Sequence, residues 1–179
     1  DFGAVSFNGN KIITTGGGGM VLCKTAELGA RTKHVTTTAK VPHPYEFFHD
    51  EPGFNYRMPN LNAALGCAQM QVLAQYLTQK RVLAKRYQEF FTQSDFQFVV
   101  EPEYAKSNYW LNAVICPSVQ ARDELLKQTN DAGIMTRPIW QLMHRLPMFK
   151  NALRGDLTHS EHVETHLINL PSSPVEVKK

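Results

Sequence analysis

Cysteine is scarce in this sequence, and the three that occur, Cys23, Cys67 and Cys116, form no Cys-x-x-Cys pair. An odd number in apolar surroundings argues against a disulfide framework and predicts reduced thiols in the core of a cytoplasmic protein. The sequence also lacks a secretory hydrophobic segment and any long uncharged apolar run, so it indicates neither export nor a membrane span.

An excess of charge is also missing. Among 179 residues, 19 Lys and Arg stand against 16 Asp and Glu, which gives a formal net charge of +3, and 42% of the residues are hydrophobic. This composition is typical of a globular protein large enough for one domain with a core. The main basic cluster, Lys80-Arg81 with Lys85-Arg86, is interpreted as a solvated helix face. The alternative, a nucleic-acid-binding module, would require a salt-dependent affinity that this modest charge does not favour.

The most informative stretch places one lysine and four glycines between two short apolar segments. Residues 4–7 and 20–23 predict strands, and Asn8-Gly9 is typical of a tight turn at positive φ. The glycines at 16–19 carry no side chains, so a backbone or a flat ligand could approach them closely. Lys11, held in such a cleft, would be an amine nucleophile toward an aldehyde, and its alternative role is a solvated residue beside a hairpin.

Two nucleotide-binding motifs are excluded at this stretch. No Gly-Lys-Ser/Thr follows the glycines, and no Gly-x-Gly-x-x-Gly opens a helix.

Hydrophobic periodicity predicts an α+β chain. A short helix is expected over 26–31, ending near Gly29, and the chain over 32–59 is expected to be irregular. Asn60 begins a long helix that reaches about residue 92. Its apolar stripe should pack in the core, and consists of Leu61, Leu65, Ala68, Val72 and Tyr76. Gly66 within this stripe predicts another backbone passing close by.

The remainder predicts a small antiparallel sheet packed with helices. Ser118 should cap a helix that reaches Thr129 and ends at Gly133. Ser160 should cap a last helix through about Leu167. The predicted strands lie at 98–100, 109–116, 134–136 and 168–170.

Three histidines at helical spacing, His159, His162 and His166, raise the question of a metal site. The pair at 162 and 166 lacks the glutamate of a His-Glu-x-x-His motif, and no cysteine or carboxylate set accompanies it. We interpret the three as a polar helix face and predict no metal.

Four segments together resemble one protein family. They are SFNGNKIITTGGGG at 6–19, GFNYRMPNLNAALG at 53–66, GIMTRP at 133–138 running on to LMH at 142–144, and NLPSSP at 169–174. In this order they resemble the DegT/DnrJ/EryC1/StrS sugar aminotransferases, which are pyridoxal-phosphate enzymes of the aspartate-aminotransferase fold (type I). The chain is most similar to the group that aminates nucleotide-linked keto-sugars, such as perosamine or legionaminic-acid-pathway aminotransferases.

The resemblance implies roles for three residues at the cofactor. Lys11 would form the Schiff base with pyridoxal 5'-phosphate and then move a proton between substrate and cofactor carbons. Ser6 would bind the cofactor phosphate, and Asn55 would reach the phosphate of a partner copy. Without the family, Ser6 would be an ordinary strand serine and Asn55 a turn residue after Gly53.

The resemblance also implies a substrate site made of Arg57, Arg137 and His144. An arginine suits a diphosphate because its planar fork binds oxygens in pairs. The alternative for Arg57 is a salt bridge near a helix start. Because Lys11 is present, the chain does not resemble the subgroup in which histidine replaces lysine and sugars are dehydrated. The four glycines stand where many relatives have an acidic residue, which removes none of these roles.

In the family, a long N-terminal part precedes the lysine segment, and the sequence shows none of it. We therefore expect a C-terminal portion: remnant strands of the large cofactor domain in 1–25, a loop-rich dimer and cofactor segment in 26–59, and a long helix with the small domain in 60–179. The parent enzyme would transfer an amino group from glutamate to a nucleotide-linked keto-sugar, as a cytoplasmic homodimer. This chain alone is expected to be inactive. The alternative is a non-catalytic dimerisation or scaffold domain derived from that family.

Overall fold

The computed structural model describes residues 1–174, and its chain forms two compact units that meet in sequence between Ala74 and Gln75. This boundary falls inside one long helix. The elements in chain order are β1 (Phe2–Ser6), β2 (Gly19–Cys23), α1 (Ala26–Thr36), α2 (Asn60–Phe91), β3 (Gln97–Phe98), β4 (Asn112–Ile115), α3 (Val119–Asp131), β5 (Arg137–Pro138), α4 (Thr158–His166) and β6 (Leu167–Leu170). Of the helices over residues 1–174, none is both long and apolar enough to cross a membrane.

In the first unit, β1 and β2 pair as an antiparallel ribbon, in a register that sets Phe2 opposite Cys23. Helix α1 follows directly. Its N-cap is Thr25, whose side-chain oxygen accepts a hydrogen bond from the Leu28 N–H at 3.2 Å. The helix runs to Thr36, so the predicted end near Gly29 is wrong. Gly29 does not adopt the positive φ that ends many helices, and its N–H donates to the Thr25 carbonyl as in a continuing helix.

Helix α2 confirms the predicted long helix, but the core expected along its stripe is only partly formed. Leu61 is 85% exposed and Leu65 is 43% exposed. Among residues 1–74, only Thr15 and Ala39 are buried. The apolar stripe therefore does not mark a core in the first unit, although its periodicity identified the helix.

The second unit holds a four-stranded sheet in the order β3-β4-β6-β5, with antiparallel pairs throughout. Its core consists of Val114, Cys116, Ile168 and Leu170. Side chains of α2 and α3 pack against this cluster, and include Tyr87, Phe91, Ala121, Leu125 and Leu126. This arrangement confirms the α+β class with a small antiparallel sheet packed with helices.

Two element predictions in the second unit are wrong. The strand expected at 134–136 lies at Arg137–Pro138 instead, on the edge of the sheet, where a proline is tolerated because the edge requires no further N–H donor. Helix α4 begins at Thr158, before Ser160. Asp156 accepts hydrogen bonds from both the N–H and the hydroxyl of Thr158, so it satisfies the helix start that Ser160 was expected to cap.

The basic cluster of α2 is not a uniformly solvated face. Lys80 is 3% exposed, and its Nζ donates to the carbonyl oxygens of Trp110, at 3.2 Å, and Ser172. This burial lowers the pKa of Lys80. Arg81 forms an ion pair with Glu101.

The cysteines are free thiols, as predicted, but only one of the three lies in the core. Cys116 is buried, Cys23 is half-buried and Cys67 is exposed.

Candidate functional site

The loop that carries Lys11 connects β1 to β2 and folds back on itself. The N–H of Lys11 donates to the Asn8 carbonyl at 3.0 Å, which closes a turn. Phe7 holds the base of the loop, because its N–H donates to the Gly18 carbonyl and its own carbonyl accepts from the Thr15 N–H, each at 3.0 Å. These hydrogen bonds therefore fix the backbone of the loop at Lys11.

The glycine run allows the backbone conformations and close contacts that this loop requires. Gly16 and Gly18 have φ of 79° and 92°, values that favour glycine. A Cβ at Gly19 would lie 2.5 Å from the Val5 carbonyl oxygen, so the ribbon requires glycine there. The expected close approach of a backbone is thus confirmed. The positive φ expected at Asn8-Gly9 is wrong, since neither residue adopts it.

Helix α2 holds the loop in place. Asn62 donates through Nδ2 to the Thr15 carbonyl, and Gln69 Oε1 accepts from the Thr14 N–H at 3.3 Å. Thr15 is 3% exposed, and a Cβ at Gly66 would lie 2.9 Å from its Cγ2. The close neighbour predicted at Gly66 is therefore real, although it is a threonine side chain and not a backbone.

Two of the predicted site residues share this part of the first unit. Ser6 is the exposed last residue of β1, and its Oγ accepts from the Asn8 N–H at 3.3 Å. Lys11 is half-buried. No atom would lie within 4 Å of a Cβ at Gly9 or Gly17, so open space adjoins the loop. An amine and a hydroxyl in the same loop have the chemistry to bind the aldehyde and the phosphate of pyridoxal 5'-phosphate.

Asn55 and Arg57 lie together on a second segment of the first unit. Asn55 forms a β-bridge with Thr37, and Arg57 Nη2 donates to the Thr37 carbonyl at 3.0 Å. The rings of Phe54 and Tyr56 stack with their centroids 5.4 Å apart. Asn55 and Arg57 alternate with these two aromatic residues along the segment. Within residues 1–174, no carboxylate lies within 4 Å of the Arg57 guanidinium, so the salt bridge considered for it is not formed.

A cavity of about 830 Å³ lies beside these segments, still within the first unit. Its walls come from β1, β2, the glycine run, α1 and residues 56–62, and they include Met20, Thr32, Tyr56, Arg57 and Met58. Arg57 is the one predicted site residue among its walls; Ser6, Lys11 and Asn55 do not line it.

Arg137 and His144 belong to the second unit, where each has local partners. Arg137 Nη1 donates to Asn130 Oδ1 and to the Thr136 carbonyl, both at 3.0 Å. His144 lies in a 3-10 turn with its side chain 16% exposed, and its Nε2 is 3.6 Å from Glu161 Oε1. Arg137 is exposed, whereas most of the His144 side chain is covered.

A network of four charged side chains was not anticipated from the sequence. His34 Nε2 lies 2.7 Å from Asp50 Oδ1 and 3.5 Å from Glu51 Oε1. Arg31 pairs with the Glu51 carboxylate through both terminal nitrogens, Nη1 and Nη2. The hydrogen bond from His34 lowers the pKa of Asp50, and the one from Arg31 lowers the pKa of Glu51. In sequence the partners are 16 and 20 residues apart, so no local pattern could reveal them.

This network is also where the described residues bring at least three possible metal ligands together. Arg31 already neutralises Glu51, so we interpret the group as an ion-pair network that fastens α1 to the segment before Asn55. His162 and His166 instead stack their rings at 4.1 Å, and His166 Nδ1 bonds the His162 carbonyl.

Comparison with known proteins places these features in a family. The sequence profile of the DegT/DnrJ/EryC1/StrS aminotransferase family matches residues 1–176. The chain is 33% identical over 174 residues to GDP-perosamine synthase of Escherichia coli O157:H7, covering 97% of this chain and 47% of that protein. It is 30% identical over 177 residues to GDP-perosamine synthase of Caulobacter vibrioides, covering 96% of this chain and 47% of the relative.

The fold agrees with solved aminotransferases. The crystal structure of the aminotransferase TlmJ from Streptoalloteichus hindustanus matches with a TM-score of 0.89 at 23% identity, covering 99% of this chain and 48% of TlmJ. The chain thus spans about half the length of the curated relatives it matches. The expected fold, part of a type I pyridoxal-phosphate transferase, is confirmed, and pyridoxal 5'-phosphate is the cofactor of these aminotransferases. With the family's profile over nearly its whole length and the family's fold in both units, the chain belongs to the DegT/DnrJ/EryC1/StrS aminotransferase family.

Proposed function

We propose that this chain supplies the cofactor lysine and the small domain of an aminotransferase that moves an amino group from glutamate to a nucleotide-linked keto-sugar. The observation that carries the proposal is the Lys11 loop, which holds a half-buried lysine, has open space next to Gly9 and Gly17, and is bound by α2. The name of two relatives, GDP-perosamine synthase, supports a nucleotide-linked sugar as the acceptor.

Five residues of the first unit have defined tasks in this proposal. When bound, the cofactor supplies an aldehyde that carries the amino group between donor and acceptor. Lys11 holds the aldehyde end and, once released, moves a proton at the substrate carbon. Ser6 donates its hydroxyl hydrogen to the phosphate, and Asn55 of a neighbouring copy donates its amide to the same group. Asn62 and Gln69 keep the loop oriented through their bonds to Thr15 and Thr14.

Covalent capture of the cofactor tests the assignment of Lys11. The chain is incubated with pyridoxal 5'-phosphate, reduced with borohydride and digested, and the modified lysine is located by mass spectrometry. We expect the label at Lys11, its loss in Lys11→Ala, and its retention in the control Lys24→Ala, since Lys24 is an exposed lysine of the same unit. A label that survives Lys11→Ala at equal yield would refute the assignment.

We also propose that the chain alone binds the cofactor weakly and has no measurable turnover, because the family's large domain would supply the remaining cofactor contacts. Transaminase activity is measured with glutamate and a nucleotide-linked keto-sugar. Full activity of the isolated chain, abolished by Lys11→Ala, would show that this part of the enzyme is sufficient.

A second candidate, a dimerisation or scaffold domain, is favoured by the apolar surface of the first unit. Large apolar side chains are exposed there, and include Phe2, Met20, Val21, Leu22, Phe47, Phe48, Leu61 and Leu65. Sedimentation with and without pyridoxal 5'-phosphate separates the two functions. A homodimer that takes up the cofactor supports the aminotransferase, whereas a dimer that takes up none supports the scaffold. We further propose a cytoplasmic location, which the free thiols fit.

A further inference from the structure

The segment from 50 to 57 covers the carboxyl end of α1. The N–H groups of Phe54 and Tyr56 donate to the carbonyls of Val35 and Thr36, at 2.7 Å and 2.9 Å. The last carbonyls of a helix have no partner within the helix, so this segment supplies the donors that α1 lacks.

Asn55 lies between these two donors along the chain. It forms a β-bridge with Thr37, and the residue is exposed. Thr38 and Ala39 follow Thr37 with φ of 73° and 50°. Gly53 passes so close to their backbone that a Cβ at position 53 has no room. The backbone at Asn55 is therefore held by its neighbours while the residue stays accessible.

The network of Arg31, His34, Asp50 and Glu51 holds the start of this segment. Arg31 and His34 are three residues apart, so they share one face of α1. They bind the two acidic residues that begin the segment. Glu51 precedes Asn55 by four positions, so at most about 14 Å of chain separates the anchored carboxylate from Asn55.

The exposure of this network argues against a mainly stabilising role. The Arg31 side chain is 58% exposed and the Asp50 side chain is 47% exposed. Exposed ion pairs typically contribute little to stability, because solvent screens them and ordering both side chains costs entropy. The geometry is nevertheless specific, since Arg31 meets Glu51 through two nitrogens and His34 Nε2 lies 2.7 Å from Asp50 Oδ1. Contacts of this kind fix the position of a segment more than they add to its stability.

We propose that the four charged side chains of this network are positioning residues for Asn55. They fix the segment on α1, and so set the place from which the Asn55 amide reaches the cofactor phosphate of a neighbouring copy. The inference rests on the proposed function, which gives Asn55 that contact. In this proposal none of the four touches the cofactor, and each acts through the backbone between Glu51 and Asn55.

Two aldehydes that differ only in the phosphate test the positioning role on the 179-residue chain. Pyridoxal 5'-phosphate and pyridoxal are each captured by borohydride, and the concentrations for half-maximal labelling of Lys11 give the preference for the phosphate. We expect Asn55→Ala to lower this preference about tenfold, as for one lost hydrogen bond to a charged group. Glu51→Gln and Arg31→Met should lower it at least about threefold, while labelling by pyridoxal stays unchanged.

Three further variants separate positioning from other effects. Glu27→Gln removes the same charge from an exposed site in the first turn of α1 and should change nothing. The exchanged pair Arg31→Glu/Glu51→Arg should recover the preference, because it restores the ion pair in reverse. Glu51→Gln combined with Asn55→Ala should be no worse than Asn55→Ala alone, because the network acts through Asn55.

Amide hydrogen exchange gives a readout that needs no cofactor. The N–H groups of Phe54 and Tyr56 bond to α1 on either side of Asn55. They should exchange at least about threefold faster in Glu51→Gln than in the original chain, whereas Glu27→Gln should leave both rates unchanged. Circular dichroism establishes that each variant is folded.

Contrary results are defined for each readout. Unchanged exchange rates in Glu51→Gln would overturn the proposal. An equal loss of labelling by both aldehydes leaves the preference unchanged, which would show a merely structural network and overturn it as well. If the original chain takes up neither aldehyde at Lys11, the proposed function fails, and the exchange rates alone decide whether the network holds the segment.

Discussion

Gly66 in α2 allows a direct test of how closely the lysine loop is packed on the helix. A Cβ at this position would lie 2.9 Å from Thr15 Cγ2, which is closer than side-chain carbons normally approach. Alanine in a helix interior is about 1 kcal/mol more favourable than glycine. Overpacking of a buried contact costs about 1–3 kcal/mol. The two effects oppose each other, so we expect Gly66→Ala to be destabilising by about 0–2 kcal/mol.

A second substitution isolates the contact. Thr15→Ser removes Cγ2 and keeps the hydroxyl that bonds the Gly17 carbonyl, at a cost of about 1 kcal/mol for the buried methyl. In the double variant the added Cβ has room, so its helix preference offsets the lost methyl and stability should return close to that of the original chain. The resulting coupling between the two sites is about 1–3 kcal/mol.

Gly29→Ala in α1 is the matched control. It is the same substitution inside a helix of the same unit, but the nearest atom to its Cβ would be Cys23 Cβ at 3.9 Å, an ordinary contact. We expect it to be stabilising by about 1 kcal/mol. Urea unfolding followed by circular dichroism gives all four stabilities, and covalent capture of the cofactor at Lys11 reports the loop. Additive effects of Thr15→Ser and Gly66→Ala, with Gly66→Ala as stabilising as the control, would refute the packing argument.

Three further predictions concern the second unit. Ile168 is fully buried in its core, so Ile168→Ala should lower the free energy of unfolding by about 2–5 kcal/mol in urea titrations. Hydrogen bonds from Arg81 and the Ser107 backbone lower the pKa of Glu101 from 4.5 to about 2. The contribution of the Glu101 carboxylate to stability is therefore complete above pH 4.5 and is lost as the pH falls toward 2. Unfolding midpoints measured across this pH range should fall less in Glu101→Gln than in the original chain. Ser118 caps α3, whereas Ser160 lies inside α4, so Ser118→Ala should cost about 1 kcal/mol and Ser160→Ala less than about 0.5 kcal/mol by the same measurement.

Features with a local physical cause were predicted well. The start of α2, the cap at Ser118 and the end of α3 at Gly133, which has φ of 75°, depend on residues within one turn of each other. Gly66 also indicated a close neighbour, because a helical glycine within an apolar stripe has few other reasons to occur. Positive φ was expected at Asn8-Gly9 and occurs at Gly16 and Gly18 instead.

Features that depend on distant partners were not predicted. Lys80 was interpreted as solvated because nothing near it in sequence shows that the carbonyls of Trp110 and Ser172 receive its ammonium. The exposure of Leu61 was missed because helical periodicity reports which residues share a face and not what covers that face. In the candidate site, motif resemblance suggested Lys11, Ser6 and Asn55, whose roles stay predictions. Thr38 and Ala39 adopt positive φ although neither is glycine or asparagine, and no sequence rule marks such residues.

The crossing at Gly53 limits how this segment can vary. A Cβ there would lie 2.5 Å from the Thr38 carbonyl carbon and 2.6 Å from the Ala39 nitrogen, so every other amino acid would force two backbones apart. The same crossing maintains a left-handed pair that costs about 1–3 kcal/mol per residue. A single substitution at position 53 would therefore disturb the backbone at Thr38 and Ala39. A larger residue at position 53 would be accommodated only if the chain near Thr38 and Ala39 moved with it.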